Sequence, residues 1–590
     1  MKIALVSMPW SLFNRPSIQL GTLKSYLESK DVCSVDCFHH YLQVANQLGP
    51  QTYLYLSKNS WAGEALYSTL IFPERKTQAK KVFVNSCRDN RDIGAQFDDI
   101  CVILQEQIQN WLTTLALQSY DLIGFSVCFS QLFSSLAAAQ LLKKEKASLP
   151  IVFGGSSCVG SMGTSLVNQF EQVDYIISGE GELQLEALCN LLRQRQTTAS
   201  EQFAAEHTSC AQAISDLNTL PSPDYRPYFK ELVQEFPGQP FNPILPIEFS
   251  RGCWWNRCTF CNLNLQWQGY RQKTAERMVN EVEQLMKVHG CLDFTFCDNA
   301  LPPKETDRFF AATQKWQEDV SFFAEIRNIK DPRKLQAYSQ GGLTGVQVGI
   351  EALSNSLLVR MDKGTTVMEN LAVMKHCTEN GITLDGNLIV DYPGSSAEEA
   401  EETLTNIEYA LSFHPLAAAT FFLGSGSAIA KDPDRYGINA VTRHKNNSLL
   451  FPEEIAAQMD MLIKDYRGDK TKQKQRWQAV RRRVKEWQEF HEKRKDSSIP
   501  PLSYRDGLSF LVIRQERIDD APLLHRMRGT SRELYLFCTT IRSLDEIRQR
   551  FPKIPEKSIL NFFADLSKKH LLYHENDLFL ALVIRAGRRR

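Results

Sequence analysis

No run of about eighteen apolar residues occurs in the 590-residue chain, so the sequence offers no membrane-spanning helix. Net charge is lacking as well. Its 68 Lys and Arg balance 68 Asp and Glu, and bulk electrostatics does not draw the chain toward nucleic acid. A secretory leader is also missing, because Met1-Lys-Ile-Ala-Leu-Val-Ser-Met-Pro-Trp10 turns polar at once and reads as a first strand. Fifteen cysteines without an export signal imply a reducing, cytoplasmic setting in which thiols serve metal chemistry or packing.

What is present is concentrated in Ser250-Arg-Gly-Cys-Trp-Trp-Asn-Arg-Cys-Thr-Phe-Cys-Asn262. Cys253, Cys258 and Cys261 place three thiols within nine residues. Three thiolates can hold three irons of a 4Fe–4S cluster and leave the fourth iron open to a small molecule. A structural zinc site is the first alternative, but it needs a fourth ligand, and only the isolated Cys291 or Cys297 lies near. Three unrelated buried cysteines are the second.

Upstream, apolar strands alternate with helical patterns. Lys2–Met8, Cys33–Phe38, Leu122–Val127, Ile151–Phe153 and Asp174–Ser178 read as strands, with helices at Ile18–Glu28 and Leu132–Lys144. Glycines follow the later strands at Gly154-Gly155 and Gly179. This pattern predicts a parallel sheet covered on both faces, with ligands bound beyond the strands' carboxyl ends. Leu217-Asn-Thr-Leu-Pro-Ser-Pro-Asp-Tyr225 reads as a connector. Six strand-then-helix units follow between 244 and 425. The cysteines lie on the first strand-to-helix loop, where a βα barrel places its chemistry. Asp298, Glu325, Arg327, Glu351 and Asn387 recur at or near successive strand ends.

Between Lys464 and Lys495, thirteen Lys or Arg face five Asp or Glu, while Trp477, Val480, Val484 and Trp487 recur at helical spacing. An amphipathic helix lying on the protein accounts for this more simply than an RNA surface. The last segment gives a strand, two helical stretches and a terminal hairpin, the order of a winged helix. The fold class is therefore α/β, in five parts: 1–205, a Rossmann-type domain; 206–243, a linker; 244–440, an open (βα)6 partial barrel; 441–504, a basic helical segment; and 505–590, a winged-helix-like module.

The cysteine segment and the strand-end residues resemble the radical S-adenosylmethionine (SAM) enzymes, although the first two cysteines stand one residue further apart than in the usual Cys-x3-Cys-x2-Cys. The resemblance implies a 4Fe–4S cluster on Cys253, Cys258 and Cys261, and Phe260 against the adenine of SAM. Asp298 would meet its amino group, with Glu325, Arg327, Glu351 and Asn387 completing the pocket. Met8-Pro-Trp10, Arg15-Pro-Ser-Ile-Gln-Leu-Gly21, Gly124-Phe-Ser-Val-Cys-Phe-Ser-Gln131 and Gly154-Gly155 resemble the cobalamin-binding domain that precedes the barrel in one class of these enzymes. That implies cobalamin contacts at Pro9, Ser126, Gln131, Gly154, Gly155, Gly179 and Glu180. A plain nucleotide-type domain remains the alternative. The Asp-x-His-x-x-Gly motif that gives cobalt a histidine is absent, and His39 and His40 follow Asp36 at other spacings.

Ser250–Trp255, His289–Phe294, Asp298–Pro302, Phe422–Ser427 and Leu534–Ile541 extend the resemblance to cobalamin-binding radical SAM proteins that mature ribosomally made peptides. Members of that group generally carry a longer loop between the first two cysteines. The implied activity is methylation of an unactivated carbon in a precursor peptide, using SAM, cobalamin and an external electron donor such as flavodoxin or ferredoxin. A non-methylating rearrangement or cyclisation, a small-molecule or RNA modifier, and a DNA-bound sensor are the competing readings. Membrane and nucleic-acid partners are not expected.

Overall fold

The computed structural model describes residues 1–116, 119–194, 213–238 and 241–586. Ile3, Ala4 and Val6 of strand β1 (Lys2–Ser7) are wholly buried, as a strand covered on both faces requires. It lies in a parallel sheet with β2 (Ser34–His39), β3 (Leu122–Ser126), β4 (Ile151–Gly154) and β5 (Tyr175–Ile177), in the order β2-β1-β3-β4-β5. The order reverses between β1 and β3, and a crevice opens past their carboxyl ends. Gly155 shapes its rim. Its φ is +108°, and a Cβ there would stand 2.7 Å from the carbonyl oxygen of Val127, so only glycine fits.

Between β2 and β3 the chain inserts six helices over residues 40–116, beginning with His40–Leu48 and ending with Phe97–Ala116. This block was not among the elements expected from the sequence. Every residue from Ala62 to Thr69 of helix Ser60–Ile71 is buried, so no single apolar stripe marks it. The domain boundary expected near residue 205 lies outside the described residues. The expected linker, 206–243, is more than a connector where it is described. Its helix Arg226–Glu235 buries Tyr228 and Leu232 in the N-terminal core, while Tyr225 packs into the following core and donates to Pro246 O at 2.5 Å.

The middle of the chain forms parallel strands at Leu245–Ile247, Asp293–Phe296, Ser321–Ile326, Leu343–Val348 and Thr383–Asp385, each neighbour paired in that order. Gly386 breaks the fifth strand. Its continuation Asn387–Val390 pairs with Ala417–Thr420 and joins the others through one bridge between Glu351 and Leu388. Among the described residues nothing pairs Ala417–Thr420 back to Leu245–Ile247, so the six-stranded barrel is open. The segment 441–504, expected to be helical, corrects the sequence reading in part. Ile438–Arg443 and Ile463–Gly468 are antiparallel strands with the short helices Lys445–Leu450 and Glu453–Gln458 between them, and helices Lys470–Arg476 and Gln478–Glu492 follow. In the second of these, Val480, Val484 and Trp487 are buried, with Trp477 at its N-cap. Arg481 pairs with Asp391 and Arg483 with Glu408. The basic helix thus lies on the barrel.

The tail is an antiparallel meander over 502–528, followed by helices Gly529–Phe537, Leu544–Arg550 and Glu556–Lys568 and the hairpin Leu572–Glu575/Leu578–Ala581. The single strand expected near Leu508 is instead the middle of three, joined through a sharp turn at Leu508 and a second at Asp519. Among the described residues no helix is long and apolar enough to cross a membrane.

A buried charge network joins the N-terminal sheet to the barrel. Arg251 is 4% exposed and donates to Glu180 at 2.7 Å, to Glu182 at 2.6 Å and to Glu248 at 3.0 Å. Arg271 also pairs with Glu180. Burial alone would lower the guanidinium's pKa, but the carboxylates of Glu248 and Glu182 hold it well above its ordinary value. Replacing Arg251 with Met should cost about 3–5 kcal/mol, because it leaves buried carboxylates uncompensated. Urea unfolding followed by tryptophan fluorescence measures this, and adding Glu180→Gln and Glu182→Gln should recover part of the loss. A cost under about 1 kcal/mol would place the network among weak surface pairs.

Candidate functional site

The cysteines occupy a loop closed by a short antiparallel pair, Ser250–Arg251 with Arg271–Gln272. Asp298, 2% exposed, anchors the start of that loop. Its carboxylate accepts from Ser250 Oγ at 2.5 Å and from Phe249 N at 3.0 Å. Burial pushes this carboxyl up to about 7, against the hydrogen bonds from Ser250 and Phe249. The residue expected at SAM's amino group is thus committed to holding the loop, which its spacing in the sequence could not reveal.

The loop then lies across the carboxyl ends of the later strands. Thr259 N donates to Met361 O at 3.0 Å, and its hydroxyl meets Tyr392 OH at 2.8 Å. Trp255 Nε1 donates to Asp362 O at 2.9 Å. The guanidinium of Arg327 stands 4.3 Å from the Trp255 ring centre and 5.3 Å from that of Trp254, a favourable cation–π placement. Trp254 is 39% exposed, whereas the Trp255 ring packs against Gly364.

Cys258 and Cys261 are drawn together locally, with Cys261 N donating to Cys258 O at 3.2 Å. Burial first, and then the thiols of Cys258 and Cys253, push the Cys261 thiol up to about 11, against a backbone N–H from Leu263. Burial also raises Cys258, while the charges of Lys363 and Arg327 act the other way. Among the described residues no three His, Cys, Asp or Glu side chains converge as they would around one ion. Three thiols are the donor set of a 4Fe–4S cluster with one open iron, whereas structural zinc takes four ligands, and Lys363 and Arg327 would offset the cluster's negative charge.

Glu351 sits beside Cys258, in the left-handed region at φ +60°, and accepts from Lys363 Nζ at 3.0 Å. Gly349 makes room for this pair, because a Cβ there would stand 2.3 Å from Lys363 Nζ. Glu325 faces the same group. Burial, then the Glu351 charge, pushes its carboxyl up to about 7, against Lys363. The structure thus brings Glu325, Arg327 and Glu351 to the cysteine loop, as their recurrence at strand ends suggested. Phe260 packs half-buried against the barrel core. Asn387 begins the continuation of the fifth strand, beside Ala417. Lys363, twelve residues beyond Glu351 and past the helix Asn355–Arg360, supplies the cation of this group.

A cleft of about 1150 Å³ of empty space, part of it open to solvent, separates the sheet from the cysteine loop. Ser126, Gly154, Gly155, Gly179 and Glu180 line one side, and Glu248, Arg251, Trp267 and Cys297 the other. Cys297 is open to this cleft although deep in the protein, and burial pushes its thiol up to about 12. Two of the expected contacts are placed elsewhere. Gln131 spends its amide on Met8 O, Ser11 Oγ at 2.9 Å and the N–H of Cys128 at 3.1 Å, and Pro9 O accepts from Ser134 Oγ at 2.6 Å. Both lock the loops after β1 and β3 together. Glu180 lines the cleft, but its carboxylate is held by Arg251 and Arg271. His39, the last residue of β2, and His40 are buried against Glu231 and Trp111 respectively, and line a different hollow. The cleft's glycine rim and breadth fit a bulky planar ligand, and among the described residues no histidine lines it.

Comparison with known proteins agrees with this geometry. Residues 247–407 match the Radical SAM superfamily. An uncharacterized methyltransferase of Pyrococcus horikoshii is 24% identical over 297 residues, covering 48% of this chain and 63% of that protein. The anaerobic magnesium-protoporphyrin IX monomethyl ester cyclase of Rubrivivax gelatinosus is 25% identical over 317 residues, covering 51% and 55%. The chain thus spans less than two thirds of either relative. Among solved structures, the radical SAM methyltransferase TsrM of Kitasatospora setae, with tryptophan and aza-SAM bound, is similar in fold. The TM-score is 0.54 at 15% identity, covering 82% of this chain and 88% of that one. A second structure of TsrM holds cobalamin and a 4Fe–4S cluster, at a TM-score of 0.51. Residues 247–407 thus match a superfamily whose cofactors are that cluster and SAM, and Cys253, Cys258 and Cys261 lie within the matched stretch.

Proposed function

We propose that the chain is a cobalamin-dependent radical SAM enzyme that methylates an unactivated carbon of a ribosomally made peptide. One observation carries this reading: a single cleft has the glycine rim of the N-terminal sheet on one side and the base of the cysteine loop on the other. When bound, the cluster and SAM supply an adenosyl radical, and cobalamin supplies the methyl group. Cys253, Cys258 and Cys261 hold the cluster. Lys363 and Glu351 offer one cation and one anion to the amino acid end of SAM, and Arg327 holds Trp255 under the loop. Gly154 and Gly155 let backbone approach the corrin face, while Arg251 fixes the distance between the two halves. A small acidic electron-transfer protein serves as the reductant. The similarity to a methyltransferase and to TsrM supports methyl transfer. The comparable identity to a cyclase supports a second reading, in which cobalamin is bound but no methyl moves.

Anaerobic reconstitution should give about four irons per chain and a broad visible band. Replacing Cys253, Cys258 and Cys261 together with Ala should abolish both, together with reductive cleavage of SAM. A full iron complement in the triple variant would show that the ligands lie elsewhere.

The two readings differ in their products. Methyl transfer consumes SAM twice and should release S-adenosylhomocysteine and 5′-deoxyadenosine in comparable amounts, both rising with modified substrate. Mass spectrometry of a turnover mixture decides the matter, and 5′-deoxyadenosine without S-adenosylhomocysteine would favour cyclisation or rearrangement.

A further inference from the structure

The meander of the tail has two unlike faces. Leu502–Asp506, Phe510–Arg517 and Asp520–Arg528 pair in sequence, and Leu511, Ile513 and Met527 turn inward, at most 7% exposed. The register sets Val512 against Arg505 and Arg526, Arg514 against Leu524, and Phe510 against Arg528, so these share the outer face. Leu524 is 65% and Phe510 43% exposed. Arg505, Arg526 and Arg528 are exposed too, and among the described residues none has an ion pair or a side-chain hydrogen bond. Arg514 and Arg532 of the same module, by contrast, are paired with Glu516 and Asp506.

Among the described residues the outermost strand, Asp520–Arg528, pairs on one side only. Its other side presents open peptide groups over nine residues. Charge at an edge can simply guard against self-association, but a guard does not combine it with exposed Leu523, Leu524 and Phe510. Nucleic acid fits less well. Helix Glu556–Lys568, the third of the winged-helix order, carries Glu556 and Asp565 against Lys557 and Lys568, which leaves it without net charge.

We propose that this edge and its outer face bind an extended acidic peptide segment by strand addition. The segment's backbone would complete the open edge while its carboxylates meet Arg526 and Arg528, which stand on the edge strand itself. The proposal rests on the peptide-substrate reading above only for which chain supplies the segment.

The test uses the full chain and three labelled probes in fluorescence anisotropy: an alternating Glu–Val dodecapeptide, its Lys–Val counterpart, and an oligouridylate of equal length. The Glu–Val peptide should bind, more weakly as salt rises, and protect amides of 520–528 from hydrogen exchange. Arg526→Glu with Arg528→Glu should weaken it by at least about tenfold and leave uncoupled SAM cleavage unchanged. No binding of the Glu–Val peptide, equal or tighter binding of either other probe, or unaltered affinity in the double variant would overturn the proposal. If peptide binding holds while product analysis excludes methyl transfer, the docking surface stands and the reaction assignment falls.

Discussion

One guanidinium fixes the geometry on which the rest depends. Arg251 opens the cysteine loop, and its partners Glu180 and Glu182 begin the helix after β5 of the other unit. Three carboxylates and two guanidinium groups in one nearly dry pocket cannot shift without exposing an unpaired charge. Trp267, from the same loop, lies 5.5 Å from the Arg251 guanidinium and lines the cleft. The cleft's width is therefore set by ion pairs at its wall, and the loop cannot swing away from the sheet alone.

At the barrel mouth the ordering force is again charge in a confined space. Two carboxylates, Glu325 and Glu351, share one ammonium group, Lys363, and Arg327 adds a second cation. Burial with Glu351 nearby lifts Glu325 to about 7, so near neutrality it can either donate or accept a hydrogen bond. The cations lie against Cys258, where a thiolate-bound cluster would bring negative charge. Gly349 and the positive φ of Glu351 are local costs accepted to bring these groups together.

Much of this was legible in the sequence because period and position were strong. The alternating strands and helices of 244–425, the glycines after β4, and the buried stripe of Trp477, Val480, Val484 and Trp487 each rest on a repeat that packing obeys. What was not legible depended on distant partners. Asp298 and Gln131 have the right chemistry for ligands, yet Ser250, forty-eight residues away, and Met8, one hundred and twenty-three away, take up their hydrogen bonds. Arg251 looked like part of a motif, and its role emerged only with Glu180 and Glu182 beside it. Helix Ser60–Ile71 escaped because burial on nearly all sides erases the stripe by which a helix is read, whereas Phe97, Ile100, Leu104, Ile108 and Trp111 form a stripe on helix Phe97–Ala116 that could have been read.

The central claim is that the cleft between sheet and cysteine loop holds cobalamin independently of the cluster. The most direct measurement is cobalamin and iron content of Ser126→Trp after anaerobic reconstitution with hydroxocobalamin, compared with the unaltered chain. Ser126 ends β3 on the cleft wall, and an indole there would fill the space without touching the three cysteines. The account predicts that cobalamin is lost while about four irons remain. Full retention of cobalamin in the variant would contradict it.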